Sequence, residues 1–363
     1  MRVLVVNTGS SSLKVRVVEG DGADDVTADL DLERWDGEDD LDALGDFVGG
    51  IGSVDAVGHR VVHGGSELTA PTLVTPAVEQ AVLALTSLAP LHQPRAVAGM
   101  RAIDRLVPGV PQVACFDTAF HAGLPEPART YALPAAWRER WGLRRFGFHG
   151  LSHAWTVRRA PEIAGGAGDR VVSCHLGAGA SLCAARGGRS VDTTMGFTPL
   201  EGLVMATRSG SVDPGLVLWL VEHGGLAADE VRDGLEHSSG LAGLSGTGGD
   251  MRDVLAARAA GDDRAALAFD AYAHRLRKEI AAMAATLDGV DVLAFTGGVG
   301  EHAVEVRAAA VDGLGFLGVA LDADANAGAA GDAEISAAGA SARTVVVTAR
   351  EELEIARQVR ELL

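Results

Sequence analysis

The sequence predicts an α/β protein of two similar domains with a cleft between them. Three stretches carry that prediction. Residues 3–6 form a short apolar run, residues 7–12 a polar turn with a glycine, and residues 13–18 a returning apolar strand. The same order of parts comes back at 171–185, VVSCHLGAGASLCAA, and a further strand follows each hairpin, at 26–35 and 190–195. A third apolar strand at 290–295 runs into Thr296-Gly297-Gly298-Val299-Gly300-Glu301 and then a helical stretch at 302–313. Strand, glycine turn and helix in that order present backbone N–H groups to an anion. Two halves that each begin with such a hairpin suit a phosphate chain gripped from both sides.

Along the chain, the first turn combines Asn, Thr, Gly and three Ser, which supply hydroxyls and accessible N–H groups for phosphate. An ordinary hairpin with a polar tip is the alternative. Lys14 follows it, one of two lysines (with Lys278) against twenty-nine arginines. Residues 56–62 read as a strand ending in His63-Gly64-Gly65. Residues 75–88 read as a helix with Pro76 in its first turn, 93–106 as a helix and 112–116 as a strand. The Pro/Gly stretch at 161–168 marks a domain boundary. Helices are predicted at 212–222 and 263–287, a strand at 344–347 and a closing helix at 350–363. Alternation of strands and helices gives the α/β class. None of the glycine turns has the GxxxxGK[ST] pattern, nor GxGxxG followed by a ribose-binding acid. A P-loop and a dinucleotide fold are therefore disfavoured.

The bulk numbers bound the class. The chain has 363 residues, 22% charged and 47% hydrophobic, as expected of a globular protein with room for two cores. A net charge of −18 argues against a nucleic-acid or anionic-membrane surface, so any anion must be held by local contacts. Cys115, Cys174 and Cys183 lack metal spacing and read as buried reduced thiols of a cytoplasmic protein. The opening apolar run is too short for a signal peptide, and the apolar stretch at 215–221 is too short to span a membrane.

Five polar clusters remain. In residues 58–65 (GHRVVHGG), Arg60 suits a carboxylate or phosphate, or an ordinary ion pair. His92 sits in a bend between helices, where a lone histidine is usually structural. Asp117 lies just past a strand end, as a functional acid or as the N-cap of a following helix. Gly147 and Gly150 flank His149 and imply close backbone approach to something. Arg208, in the loop TRSGSVDP, reads as an anion contact, or as part of a helix entry capped by Ser211.

Together these segments resemble the acetokinase family, within the actin-like sugar kinase and heat-shock ATPase superfamily. VNTGSSSLK, GHRVVHGG, LAPLH, FDTAFH, FGFHGLSH, HLGAGAS, DTTMGFTPLEGL, TRSGSVDPG, FTGGVGE and AREELEIAR occur in the family's order and approximate spacing. The resemblance implies two duplicated actin-like (ribonuclease H-like) domains around a nucleotide cleft. Residues 1–150 plus 350–363 would form the first; 151–349 would form the second, with the nucleotide and a homodimer contact. It implies reversible in-line transfer of the ATP γ-phosphoryl group to acetate, giving acetyl phosphate and ADP, with Mg²⁺ or substituting Mn²⁺. It assigns Asn7 and Glu351 to the metal, which requires the C-terminal helix to fold back against the first hairpin. Arg60 and Arg208 become the essential arginines, His149 the support of the moving phosphoryl group, and Asp117 the catalytic aspartate. Ser10, Ser12 and Lys14 match the first phosphate loop, and His175, Leu176, Gly177, Ala178 and Gly179 the second. Asp250, Met251 and Arg252, with Gly298, Val299, Gly300, Glu301 and His302, match the adenosine side. Val62, Leu91, His92, Phe148 and Pro199, beside Arg60, match the acetate pocket.

Acetate is already ionised at neutral pH and needs no general base. Asp117 is therefore expected to position Mg²⁺ or hold an arginine rather than remove a proton. The chain departs from the family at Ala178, where asparagine is usual, at 248–253 (GGDMRD in place of SSDFRD) and at His302 in place of asparagine. Ala178 and the altered adenosine segments keep open a pyrophosphate donor. Propionate stays open as acceptor because excluding one methylene is worth only about 1–3 kcal/mol. A nucleotide-binding protein without catalysis is the third alternative, and the presence of Arg60, Arg208 and Glu351 counts against it.

Overall fold

The computed structural model describes residues 1–9, 12–20, 25–33, 35 and 41–363. It divides into two compact units. One comprises Met1–Ala122, Phe148–Trp155 and Arg350–Leu363; the other comprises Gly123–Gly147 and Thr156–Ala349. The chain changes unit between Trp155 and Thr156, inside the helix Gly150–Ile163, and not in the 161–168 stretch. Pro161 lies in the last turn of that helix, and the left-handed Gly165 and Gly166 follow its end.

The first unit holds the strands β1 (Val3–Thr8), β2 (Leu13–Glu19), β3 (Asp25–Leu32), β4 (Ala56–Val61), β5 (Thr72–Leu73) and β6 (Gln112–Phe116). They form one sheet in the order β3-β2-β1-β4-β6-β5. β1, β2 and β3 are joined antiparallel, while β1, β4 and β6 run parallel, with Asn7 opposite Arg60 and Arg60 opposite Cys115. Both faces of β1 are covered. Leu4 and Val6 pack with Trp35, Leu44, Val57 and Ile103; Val3 and Val5 pack with Val113, Leu151, Ile355 and Val359. Ile355, Ala356 and Val359 form the apolar stripe of the closing helix Glu351–Leu362, and burial of Ile355 and Val359 contributes roughly 1.5–3 kcal/mol each. Gly58 makes the close approach possible: a Cβ there would come within 2.5 Å of Ile355 Cγ2 and 2.8 Å of Val359 Cγ2. The closing helix thus packs on β1 and β4, as the pairing of Asn7 with Glu351 requires.

The second unit repeats the plan. β7 (Arg170–Leu176), β8 (Ala180–Arg186), β9 (Arg189–Thr193), β10 (Val292–Thr296), β11 (Ala333–Glu334) and β12 (Arg343–Val346) form a sheet in the order β11-β12-β10-β7-β8-β9. Again three strands make an antiparallel meander, three run parallel, and a two-residue strand closes the edge. The long helix Asp263–Thr286 packs Ala268, Phe269, Tyr272, Leu276, Ile280 and Met283 inward, and Asp262 caps it by accepting from Arg264 and Ala265 N–H at 2.8 and 2.9 Å. The duplication read from two glycine turns is therefore a duplication of whole sheets.

Three local readings change. The helix expected from 212 begins at Pro214, because proline suits the first helical position and Asp213 accepts from Gly215 N–H at 2.8 Å; Ser211 Oγ instead accepts from Gly202 N–H at 3.0 Å. The helical stretch at 302–313 is two helices, Gly297–His302 and Val304–Val311, divided by the extended Ala303. The helix Leu41–Ile51, with two glycines in its last turns, has no counterpart in the sequence reading. Among the described residues no helix is long and apolar enough to cross a membrane.

Candidate active site

The three parallel strands of the first unit end side by side and deliver three polar residues to one place. Asn7 lies near the end of β1, Arg60 near the end of β4, and Asp117 just after β6, where open α/β sheets hold their ligands. Arg60 grips Asp117 with Nε at 3.1 and 3.2 Å from the two carboxylate oxygens and Nη2 at 2.6 Å from Oδ2. Arg60 Nη1 donates to Asn7 Oδ1 at 3.2 Å. The closing helix adds Glu351 at its first residue: Asn7 Nδ2 donates to its Oε2 at 3.4 Å, and the carboxylate lies 3.9 Å from Arg60 Nε. Asp117 is 1% exposed and Arg60 18%, so the pair is almost out of water.

Charge in this cluster is unbalanced. Burial opposes the Arg60 charge, but Asp117 and Glu351 outweigh burial and raise its pKa. Glu351 is also pushed up, by burial first and then by the neighbouring Asp117, against the pull of Arg60, Asn7 and Lys14. Two carboxylates facing one arginine leave room for another cation. The donors are hard oxygens. Among the described residues no group of three acids, histidines or cysteines forms a complete metal cage. Two carboxylates and an amide fit a magnesium ion that keeps waters and shares its shell with a phosphate chain.

His149 stands beside this cluster. It adopts φ 55°, a left-handed conformation that costs about 1 kcal/mol or more and persists where surroundings enforce it. What enforces it is Gly150, whose N–H donates to the Asp117 carbonyl at 2.9 Å and whose missing Cβ would sit 2.1 Å from that oxygen. The close approach implied by the flanking glycines is thus to the backbone of Asp117. Phe148 is buried beneath, edge-on to His63 with ring centroids 5.4 Å apart, and its carbonyl lies 3.1 Å from His121 Nε2. Burial lowers the His63 pKa to about 4, so the ring stays neutral. Val62 is buried next to it, Leu91 is exposed and His92 half-buried at the start of the helix Gln93–Leu106. In the first turn Gly9 N–H donates to the Ser12 carbonyl at 2.7 Å, and Lys14 is exposed opposite Asn7. Ser10 lies outside the described residues.

The second unit contains a cavity of about 380 Å³. The second turn contributes Gly177 and Ala178, the residues before and within the helix Met251–Ala259 contribute Asp250, Met251 and Arg252, and the third turn contributes Gly298, Val299 and His302. Three separate stretches read as nucleotide contacts therefore converge on one space. His175, Leu176, Gly179, Gly300 and Glu301 do not line it. The sequence reading missed Ala206, Leu241, Leu255, Tyr272 and Ala303, which give the cavity apolar walls; a single apolar residue in a helix carries no signal that it faces a ligand. Asp250 is held down to about 2 by Arg252, whose side chain and N–H both bond it.

Arg208 is half-buried, and among the described residues it forms no ion pair; Nη1 lies 4.0 Å from Met205 Sδ. Burial lowers its pKa with only distant help from Glu236, the mark of a cation short of anionic company. Its loop is tied to the cavity, since Ala206 N–H donates to the Ala178 carbonyl at 3.0 Å. Pro199 also belongs to this unit, on a loop braced by residues the sequence reading did not select. Arg145 donates to Thr194 and Met195 carbonyls and, at 2.7 Å, to Glu201, whose other oxygen accepts from Tyr131 Oη at 2.6 Å.

Comparison with known proteins agrees with this geometry. The model of the acetokinase family matches residues 46–357. A Synechococcus protein named acetate kinase is 50% identical over 338 residues, which is 93% of this chain and 82% of the relative. The crystal structure of Porphyromonas gingivalis acetate kinase superimposes with a TM-score of 0.91 at 36% identity, covering 99% of both chains. A propionate kinase from Francisella tularensis gives 0.89 at 33% identity, covering 98% of both.

Proposed function

This chain belongs to the acetokinase family, and from that premise we propose that it transfers the γ-phosphoryl group of MgATP to acetate, reversibly, giving acetyl phosphate and ADP. The observation that carries the reading is the Asn7–Arg60–Asp117–Glu351 cluster at the ends of three parallel strands. An acetate oxygen forms the new bond to phosphorus while the bond to ADP breaks. The acceptor arrives as an anion, so no proton has to be removed. What the reaction needs is relief of repulsion between two anions and support for charge on the phosphoryl oxygens. Arg60 offers its guanidinium to the carboxylate, held in place by Asp117. His149, fixed in its left-handed conformation, and Arg208, which forms no ion pair among the described residues, support the phosphoryl oxygens. Val62 and Phe148 provide the apolar floor for the methyl group, with Leu91 and His92 beside them. Asn7 and Glu351 would hold Mg²⁺, which supplies neutralisation of the phosphate charge.

The cavity of the second unit takes the nucleoside. Its glycine-rich turns suit the phosphates and its apolar walls the base. Ser10, Ser12 and Lys14, with His175, Leu176, Gly179 and Gly300, complete the nucleotide contacts. Ala178 favours a second reading in which pyrophosphate serves as donor, because it removes an amide from the phosphate turn. Propionate is the alternative acceptor, since one methylene changes discrimination by only about 1–3 kcal/mol.

The working form is a cytoplasmic homodimer. The helix Pro214–Glu222, PGLVLWLVE, buries no residue, and Leu216, Leu218 and Trp219 are 49%, 60% and 55% exposed. A second copy of the chain is the partner such a face fits. Acyl phosphate trapped by hydroxylamine, with acetate, propionate or butyrate as acceptor and ATP or pyrophosphate as donor, tests the assignment. Most product is expected from acetate and ATP. Activity only with pyrophosphate would overturn the donor, and none with either would overturn the reaction.

A further inference from the structure

The third glycine turn meets the cavity with Gly298, Val299 and His302, but its acidic residue, Glu301, is engaged elsewhere. Glu301 Oε1 accepts from Gly297 N–H at 3.1 Å and from Ala349 N–H at 3.1 Å. Gly297 opens the turn, with φ 79° and a virtual Cβ 2.7 Å from the Leu176 carbonyl. Ala349 ends the second unit, and the chain reaches Glu351 two residues later. The stretch before it is sewn down in the same way: Val347 N–H donates to Phe295 at 2.8 Å and Thr348 N–H to Asp332 Oδ1 at 2.9 Å.

Arg307 braces the turn from within. It is 1% exposed and donates to the carbonyls of Gly300 and Glu301 at 3.0 and 2.7 Å, and to Asn326 Oδ1 and O at 2.7 and 2.8 Å. All four acceptors are neutral. Burying a charge among neutral oxygens is a poor way to gain stability, because an apolar residue of similar volume would serve as well. The turn is therefore held to one geometry from two sides, and one of those holds leads along the chain to the metal-side helix.

We propose that Glu301 is a positioning residue that links the nucleotide-facing turn to the setting of Glu351, with Arg307 as its brace. Occupancy of the cavity stiffens the turn; the shared carboxylate oxygen passes that order to Ala349 and so to the start of the closing helix. The proposal rests on the nucleotide reading of the cavity and the metal reading of Glu351.

Glu301→Ala removes both hydrogen bonds. It is expected to weaken ADP binding about tenfold by calorimetry and to raise the Mg²⁺ concentration for half-activation about tenfold, while the KM for acetate stays within twofold. Glu301→Gln keeps an oxygen that accepts from both N–H groups and should restore wild-type values. Glu301→Asp, one carbon shorter, should behave as alanine does and serves if the alanine variant fails to fold. Unchanged ADP and Mg²⁺ constants in both shortened variants would overturn the proposal. So would a glutamine variant as impaired as alanine, since the charge would then touch the ligand directly. Wild-type protein that binds no ADP would refute the cavity reading instead, and the proposal with it.

Discussion

Replacing Asp117 separates a residue that holds an arginine from one that removes a proton. The carboxylate is 1% exposed and receives three contacts from Arg60, the shortest 2.6 Å. Asp117→Ala leaves the guanidinium with the Asn7 amide at 3.2 Å and Glu351 at 3.9 Å. Removing one partner of a buried pair costs about 3–5 kcal/mol, and the remaining company of Glu351 places this case near the low end, at about 3. At about 2–4 °C per kcal/mol, Tm should fall by roughly 6–12 °C. Asp117→Asn keeps one acceptor oxygen and should lose about 1–2 kcal/mol. With Arg60 displaced from its setting, kcat/KM should drop about 10²–10³-fold in the asparagine variant, the loss typical of one misplaced charge-stabilising donor. The assay is the pH profile of kcat/KM alongside calorimetric Tm. The profile should keep its shape in Asp117→Asn. An acidic limb that disappears with the carboxylate, or a variant with wild-type Tm and rate, would refute the reasoning.

Three further outcomes are expected. Arg208→Ala should lower turnover by about 10³-fold or more while ADP binding is largely kept, if the arginine acts on the moving phosphoryl group as proposed and not on the cavity; unchanged turnover would remove its role. Glu351→Gln should raise the Tm of the ligand-free protein at pH 8 while abolishing Mg²⁺ activation. The folded-state pKa of Glu351 lies above its unfolded value, so its contribution to stability is present at low pH and is lost as pH rises through the folded pKa. The gain from glutamine should therefore shrink on acidification, as followed by Tm against pH. Leu218→Glu combined with Trp219→Glu should yield monomers by light scattering, with the fold intact because both side chains are exposed.

Much of this was legible in the sequence because the signals were local. Apolar runs of four to six residues beside glycine turns marked β1, β7 and β10, and their repetition marked the duplicated sheets. Gly147 and Gly150 announced the tight backbone approach at His149. What escaped depends on distant partners. Arg60 and Asp117 each looked ambiguous alone, and the sheet register decides that they meet across 57 residues. Tyr131 and Arg145 gave no sign that they brace the loop holding Pro199, so the segment 123–147 was not expected to cluster with the second unit. Glu301 was matched to the adenosine side by resemblance to the family; that its Oε1 accepts from the Gly297 and Ala349 amides depends on a partner 48 residues away and left no mark in the sequence. In the helix Leu41–Ile51, three glycines hide a pattern whose buried Leu44 and Val48 become evident only against the sheet.

On the proposed function the acetate carboxylate itself attacks phosphorus, with no acyl-enzyme and no acyl-adenylate. Acetate labelled with ¹⁸O in both oxygens, incubated with MgATP and hydroxylamine, tests it directly. Attack at phosphorus makes the bridging oxygen of acetyl phosphate an acetate oxygen, and hydroxylamine then attacks the carbonyl carbon. Each inorganic phosphate released should carry one ¹⁸O atom by mass spectrometry. Acetohydroxamate formed with unlabelled phosphate, or with the label in AMP, would contradict the account.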